Sequence, residues 1–478
     1  MTINDLPDDD LLATFDFYVV RHEDLDLREL SDYDTKRKIE SWQSLVHVCR
    51  RWRGLVFGSP RRLNLQLFFI PGTSARKTLD VWPVLPLIIQ GDISETSVDN
   101  VIAELEHSDR ICQFNLDCRT TSQIEKLWTA MQVPFPELVV LHLSVEDLSI
   151  GPVLLDSFLG GSTPRLRFLS LVAVPFPALP RLLLSATHLI KLHLHNIPHS
   201  GYISPEAMAS CLSTLTNLER LHFQFESPQS CPDRENRRSP PPNRSILPAL
   251  TGFWFKGANE YLEDLVSCID SPRLYRLSTT FFNDIDFDTP ELNRFISRTT
   301  TLGTFNEARL IFDSHEALVR LCQFQSVRSD HGMVQVKILC QVSDWQLSSL
   351  AQICTLSLPL FSTIEDLYIY EYLHSLPNWK DDIENAEWLD LLLPFRAVKN
   401  LYLSKQLSPR IARVLKELSA GRTTEVLPAL QNVLLEGFLP GPLELVQEGI
   451  RQFISARRLS NHPVAISVWD RDLVRDRS

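Results

Sequence analysis

The sequence predicts an α/β chain: a short all-α segment, then an irregular solenoid with parallel strands on a concave face and helices outside. Two observations carry this. From residue 138 a six-residue signature, L-x-x-L-x-L with substitutions, recurs as LVVLHL, LRFLSL, LIKLHL, LERLHF, LTGFWF, IEDLYI, VKNLYL and LQNVLL. Its starts, Leu138, Leu166, Leu189, Leu218, Leu250, Ile364, Val398 and Leu430, stand mostly 23–34 apart where consecutive, with weaker copies at Leu274 and Phe305. A period of this length marks a leucine-rich solenoid, in which no single repeat buries its apolar face and each strand stacks on the next. The second observation is that the first 60 residues carry a helical period instead.

The helical start is read from "NDLPDDDLLATFDFYV". Pro7 suits a first turn, where its missing N–H costs nothing, and Asp8 and Asp9 favour the positive end of the helix dipole. Leu11, Leu12, Phe15 and Val19 supply an apolar face, and a charged insert occupies residues 20–40. In "LVHVCRRWRGLVFGSPRRLNL", residues 45–65, a rotation of about 100° per residue puts Leu45, Val48, Cys49, Trp52, Leu55 and Val56 on one face, extended by Trp42. Periodicity alone therefore predicts one continuous helical segment. Its five arginines form the solvated side, and residues 1–40 hold twelve acidic against five basic residues, so the basic run reads as local charge balance. Some 60 residues with few large apolar groups are marginal for independent folding, and such a unit wants a partner.

These residues carry a resemblance. "LPDDDLL…F" followed by "WQSLVHVCRRWRGLVF" is similar to an F-box: a leucine-proline start, an acidic position, aliphatics, and a later valine-cysteine-x-x-tryptophan element. "VFGSPRRLNL", "FLGGSTPRLRFLSL", "LLLSATHLIKLHLHNIPHSGYISPEAM" and "GANEYLEDLVSCIDSPRL" resemble the fungal families of F-box proteins with irregular leucine-rich repeats. The resemblance implies a tight break near the valine-cysteine pair. It also implies that Leu6, Pro7, Leu11, Leu12, Phe15, Leu45, Val48, Cys49 and Trp52 face a Skp-type adaptor or shape the face that does. Through the adaptor it implies a cullin and a RING subunit. Asp10 departs from the pattern, which usually has an aliphatic residue there, as does Thr14, which stands in place of isoleucine; the connector is longer than a minimal F-box needs. The division expected is thus 1–60 for the F-box helices and 61–478 for the repeats.

Alternations at 63–67 (LNLQL) and 111–116 (ICQFNL) suggest that the repeats begin soon after the helices. "PEAMASCLSTLTN" and "SPRIARVLKELSAG" read as helices entered through Ser204-Pro205 and Ser408-Pro409. The signature leucines point inward, so the residues between them face the concave side. Its central ladder reads His142, Ser170, His193, His222, Trp254, Ser278, Arg309, Tyr368, Tyr402, Leu434, with Ser144, His195, Gln224, Lys256 and Tyr370 among the neighbours. Exposed Trp, Tyr, Arg and His in one stripe match protein-binding hot spots. His142, His193, His195, His222, Trp254, Arg309, Tyr368 and Tyr402 are the expected target-binding set, the aromatics being either open for binding or covered by a loop. The stretch 226–248, with six prolines and little apolar content, is expected to be a mobile loop.

Composition narrows the function. A net charge of -12 and a pI near 5.6 repel a polyanion, which speaks against nucleic acid as a partner. The nine cysteines form no C-x-x-C spacing and the acidic start resembles no secretory signal, so a cytoplasmic or nuclear location is expected. Apolar windows such as "VWPVLPLII" fall short of the roughly 20 residues that span a bilayer, so no membrane partner is expected. His193-x-His195 with His142 and His222 lacks a completing cysteine or carboxylate signature for zinc. No phosphate loop, H-E-x-x-H or nucleophile elbow is present, and no catalytic residue or cofactor is assigned. The expectation is a non-catalytic substrate-recognition subunit of an SCF-type ubiquitin ligase. The alternative is a leucine-rich-repeat scaffold that binds partners without directing ubiquitination; an enzyme built on the repeats has no supporting constellation.

Overall fold

The computed structural model describes residues 6–18, 39–72, 82–94, 96–119, 121–146, 153–230, 244–282, 289–323, 332–340, 345–356, 358–372, 379, 385–418, 424–437 and 444–470. They group into two compact units, Met1–Leu218 and Glu219–Ser478. Among them no helix is long and apolar enough to cross a membrane.

The first unit opens with helices α1 (Asp8–Asp16), α2 (Gln43–Val46) and α3 (Arg50–Gly58). Pro7 precedes α1, three aspartates fill its first turn, and Leu11, Leu12 and Phe15 are buried; Val19 lies outside the described residues. The expected continuous helix over 45–56 is corrected. Cys49 is extended (φ -157°, ψ 171°) and its Sγ accepts the Trp52 N–H, starting α3 afresh. Arg53 Nε reaches back to the Val46 carbonyl at 3.0 Å and satisfies the end of α2. The rings of Phe15 and Trp52 then meet 4.7 Å apart, bringing α1 onto α3. The arginines find the acidic start, Arg51 with Asp8 at 2.6 Å and Arg62 with Asp9 at 3.2 Å.

Strands β1 (Leu67–Phe69), β2 (Leu87–Ile93), β3 (Ile111–Cys118), β4 (Val140–Val145), β5 (Phe168–Val172) and β6 (Lys191–Ile197) follow, each parallel to the one before. Helices α4 (Val98–Leu105), α5 (Thr121–Ala130), α6 (Leu179–Leu183) and α7 (Pro205–Leu212) lie between strands or after the last. The signature leucines set this up: Leu138, Leu166, Leu189 and Leu218 are fully buried. In β4, Leu141, Leu143 and Val145 are buried while His142 and Ser144 stay half-buried, the period of two that separates core from face. Ser204 caps α7 by accepting the Ala207 N–H, with Pro205 first in the helix.

The second unit contains β7 (Arg220–Phe225), β8 (Ser245–Ile246), β9 (Gly252–Gly257), α8 (Asn259–Cys268), β10 (Ile269–Asp270), β11 (Arg276–Phe282) and α9 (Pro290–Arg298). Then come β12 (Glu307–Phe312), β13 (Glu316–Cys322), β14 (Met333–Leu339), α10 (Trp345–Leu356), α11 (Leu358–Phe361) and β15 (Asp366–Glu371). The chain continues through α12 (Asn385–Leu392), β16 (Asn400–Leu403), α13 (Ser408–Leu418), β17 (Asn432–Glu436), α14 (Glu444–Leu459) and β18 (Ala465–Trp469).

Its main sheet runs β7-β9-β11-β14-β13-β12-β15-β16-β17-β18. The expectation of an uninterrupted parallel ladder is corrected, because β13 is antiparallel to both β12 and β14. A tight turn explains the reversal. The Asp313 N–H donates to the Glu316 carbonyl at 2.8 Å, and the Asp313 carboxylate accepts from the N–H and hydroxyl of Ser314, so β12 folds straight back instead of returning through a helix. The strands themselves are legible as period-two runs, EALVRLC and MVQVKIL, that the six-residue signature passes over.

The loop expected over 226–248 is narrower than that. Ser245–Ile246 pairs with Ile269–Asp270, and Leu247 is fully buried. Residues 231–243 lie outside the described residues. Nearby, the buried Glu263 of α8 accepts from the backbone N–H groups of Glu291 and Leu292, both at 2.8 Å, capping α9 from the preceding repeat. Glu263→Ala leaves two donors without their acceptor and is expected to cost about 2 kcal/mol in chemical denaturation. An unchanged unfolding midpoint would show that α9 needs no such cap.

Candidate functional site

In the second unit the register aligns His222, Trp254, Ser278, Gln335, Arg320, Arg309, Tyr368, Tyr402 and Leu434 in one row. Sequence reasoning set Arg309 next to Ser278. The antiparallel meander places Gln335 and Arg320 between them, two residues that the signature could not find. His222 and Trp254 stack with ring centroids 4.1 Å apart. The Trp254 ring lies over Gly252, where a Cβ would meet ring carbon at 2.4 Å, so the glycine makes room for the indole. Both ladder rings remain half-buried. Lys256, also half-buried, lies over the Phe282 ring at 5.6 Å, and burial holds its ammonium below the usual lysine range.

Three members of the expected target-binding set are buried, two of them in the second unit. Tyr368 is 6% exposed and Arg309 7%. Tyr368 and Tyr402 stack at 4.0 Å, and both meet Trp469 edge-on at 5.8 and 5.6 Å. The Trp469 indole N–H is fixed on the Leu403 carbonyl at 3.1 Å. The cover is thus an aromatic from β18. Burial pushes the Tyr368 phenol well above its ordinary range. Arg309 lies over the Tyr368 ring at 5.7 Å and donates to Glu307 at 2.5 Å. Burial works against its charge, but Glu307 and Tyr370 outweigh it and the guanidinium is held above its usual value. Tyr402 stays half-buried. Beside this row, Asn400 Nδ2 donates to Asp366 at 2.7 Å and Asn432 Nδ2 to Asn400 at 2.7 Å, an amide chain tying β15, β16 and β17 together. Burial raises the Asp366 carboxyl above its usual range.

In the first unit the corresponding row is Gln90, Asn115, His142, Ser170 and His193. His193, expected at an exposed face, is 8% exposed. It meets Phe168 edge-on at 5.2 Å and His195 at 5.8 Å, and these neighbours enclose it. His142 and His195 are half-buried. His142 Nε2 lies 3.7 Å from Asp117 and is the chief cause that holds the Asp117 carboxyl below its usual range. Among the described residues no three His, Cys, Asp or Glu side chains are placed to hold a metal ion.

The residues that the F-box resemblance singles out divide by burial. Leu11, Phe15, Leu12 and Leu45 form the interior of the helical segment. Pro7 and Val48 are exposed, and Leu6, Cys49 and Trp52 are half-buried. The Trp52 indole nitrogen is buried and makes no hydrogen bond among the described residues. Sequence reasoning passed over Phe17 and Tyr18, which are 90% and 60% exposed just beyond α1. Their signal was an adjacent aromatic pair past the last buried position of the helix.

No family model and no curated protein matches the chain. Among solved structures, the leucine-rich repeat-containing protein LegL7 from Legionella pneumophila is similar at 11% identity and a TM-score of 0.24, over 81% of this chain and 97% of that one.

Proposed function

We propose that the protein is the substrate receptor of an SCF-type ubiquitin ligase, its N-terminal helices docking on a Skp-type adaptor and its repeats holding a target protein. The observation that carries this reading is the N-terminal segment itself. Three short helices whose sequence resembles an F-box bury Leu11, Leu12 and Leu45 inward and leave Phe17, Tyr18 and Val48, at 90%, 60% and 58%, in solvent. Large exposed apolar side chains on so small a segment are the composition of a docking surface. The buried Leu11, Phe15 and Leu45 support that surface and do not themselves reach a partner.

In this reading the chain does no chemistry. The adaptor connects it to a cullin and a RING subunit, and it raises the effective concentration of target lysines near the charged ubiquitin-conjugating enzyme. It would work in the cytoplasm or the nucleus, where those partners act.

Phe17→Asp with Val48→Asp is expected to lower adaptor binding by about thirtyfold or more, the effect of removing an interface hot spot. Both positions are exposed, so the melting temperature is expected to hold. Co-purification of adaptor and cullin with the folded double variant at wild-type levels would sink the docking assignment. Adaptor binding without any change in target half-life on deleting the chain would favour a scaffold that directs no ubiquitination.

A further inference from the structure

A cavity of about 210 Å³ opens over the antiparallel meander of the second unit. Ile311 and Leu318, both buried, give it an apolar floor; Arg320, Lys337 and Glu316 line it, with Tyr372 51% exposed. Small-molecule sites run to roughly 300–1,000 Å³, so this volume suits a side chain or two of a polypeptide.

The charges say which. Arg320 donates Nε to Gln335 Oε1 at 3.0 Å, and Gln335 Nε2 reaches the Ser278 hydroxyl at 3.4 Å. The guanidinium is thereby held in place, while its two terminal nitrogens make no hydrogen bond among the described residues. Lys337 is matched by Glu316, at 2.8 and 2.9 Å. Arg309, directly opposite Arg320 in register, is matched by Glu307 at 2.5 Å. Asp313 also lines the cavity, one residue past the end of β12 at the turn, and its carboxylate accepts from the N–H and hydroxyl of Ser314. Arg320 is thus the cation of the lining that makes no ion pair among the described residues.

We propose that this cavity receives an acidic side chain from an extended segment of the bound target. The terminal nitrogens of Arg320 take its carboxylate in a two-point contact, and an adjoining aliphatic residue reaches Ile311 and Leu318. Arginine suits this because its planar fork matches a carboxylate, and the apolar floor beside it lowers the local dielectric and strengthens the pair. The proposal rests on the reading of the repeats as a protein-binding array.

The test pans a displayed library of random decapeptides against the full chain and measures the selected peptides by fluorescence anisotropy. Selected peptides are expected to carry Asp or Glu beside Leu, Ile or Val, and to bind more weakly as salt rises. Arg320→Gln is expected to weaken them about tenfold or more, the loss of a charge-assisted contact. Arg320→Lys keeps the charge without the fork and should fall between. Glu316→Gln releases Lys337 and should tighten them, and Arg320→Glu should turn the selection toward basic peptides. Neutral or basic peptides from the wild-type chain, or acidic ones bound equally by wild type and folded Arg320→Gln, would overturn the proposal and leave protein binding by the repeats standing. Failure to select any peptide would count against both.

Discussion

Tyr368→Ala is expected to destabilise the protein by about 3 kcal/mol, although the sequence places this residue on a binding ladder. The side chain is 6% exposed, and three partners converge on it: the Tyr402 ring stacked at 4.0 Å, the Trp469 ring at 5.8 Å and the Arg309 guanidinium at 5.7 Å. Truncation loses the transfer free energy of a large aromatic, leaves a cavity, and removes a stacked pair worth about 0.5–1.5 kcal/mol beyond its area. It also strips the aromatic face from Arg309, whose charge Glu307 and Tyr370 continue to favour. Trp254→Ser, at a half-buried position stacked on His222, is expected to cost much less. Chemical denaturation with intrinsic fluorescence measures both. Equal, small effects would mean that the Tyr368–Tyr402–Trp469 cluster opens in solution and is available to a partner.

The contrast between these two aromatics marks how far a strand sequence reports on a face. Alternation tells which side of the strand a residue takes, because that is set by a period of two in the backbone. Leu138, Leu166, Leu189, Leu218, Leu250, Leu274, Ile364 and Val398 are all fully buried, and Phe305 and Leu430 nearly so. What covers the other side is decided by distant residues. Trp469 lies far along the chain from Tyr368, on a strand that carries no signature leucine, and nothing in the local pattern around Tyr368 announces it. His193 is enclosed in the same way, by Phe168 from the neighbouring strand and by His195.

The meander shows a different limit. A signature search assumes that each repeat returns through a helix, so the long interval between Leu274 and Ile364 reads as weak repeats. It holds instead three adjacent strands whose spatial order is the reverse of their chain order. The turn at Asp313-Ser314 is the local cause, and its side-chain to backbone bonds are the kind that aspartate and serine make readily. The reversal is what brings Arg320 and Gln335 into the row. A binding site built there is invisible to any reading that lays the strands out in chain order.

Trp42→Ala is expected to have the largest effect of any single substitution in the first unit, about 4 kcal/mol. Its indole is fully buried and stands at the junction of the helices and the first strand. The ring meets Trp82 at 5.2 Å and Phe57 of α3 at 6.1 Å, while its N–H donates to the Gln66 carbonyl at 3.0 Å, one residue before β1. Ile39 packs on Phe68 and Ile88, and Glu40 accepts the Phe68 N–H at 2.9 Å. The helices are too small to hold a core alone, so they borrow one from the repeats through this residue. Trp42→Ala is therefore expected to release amide protection over residues 39–58 before the remaining strands unfold. It should abolish the proposed adaptor binding without touching the exposed face, in contrast to Phe17→Asp with Val48→Asp, which should weaken it with stability intact. Trp42→Phe keeps a ring but strands the Gln66 carbonyl, and is expected to lose roughly 1–2 kcal/mol. Hydrogen exchange that stays protected over 39–58 in Trp42→Ala would show that the helices hold together without the repeats, and that their docking to β1 is incidental to the proposed adaptor surface.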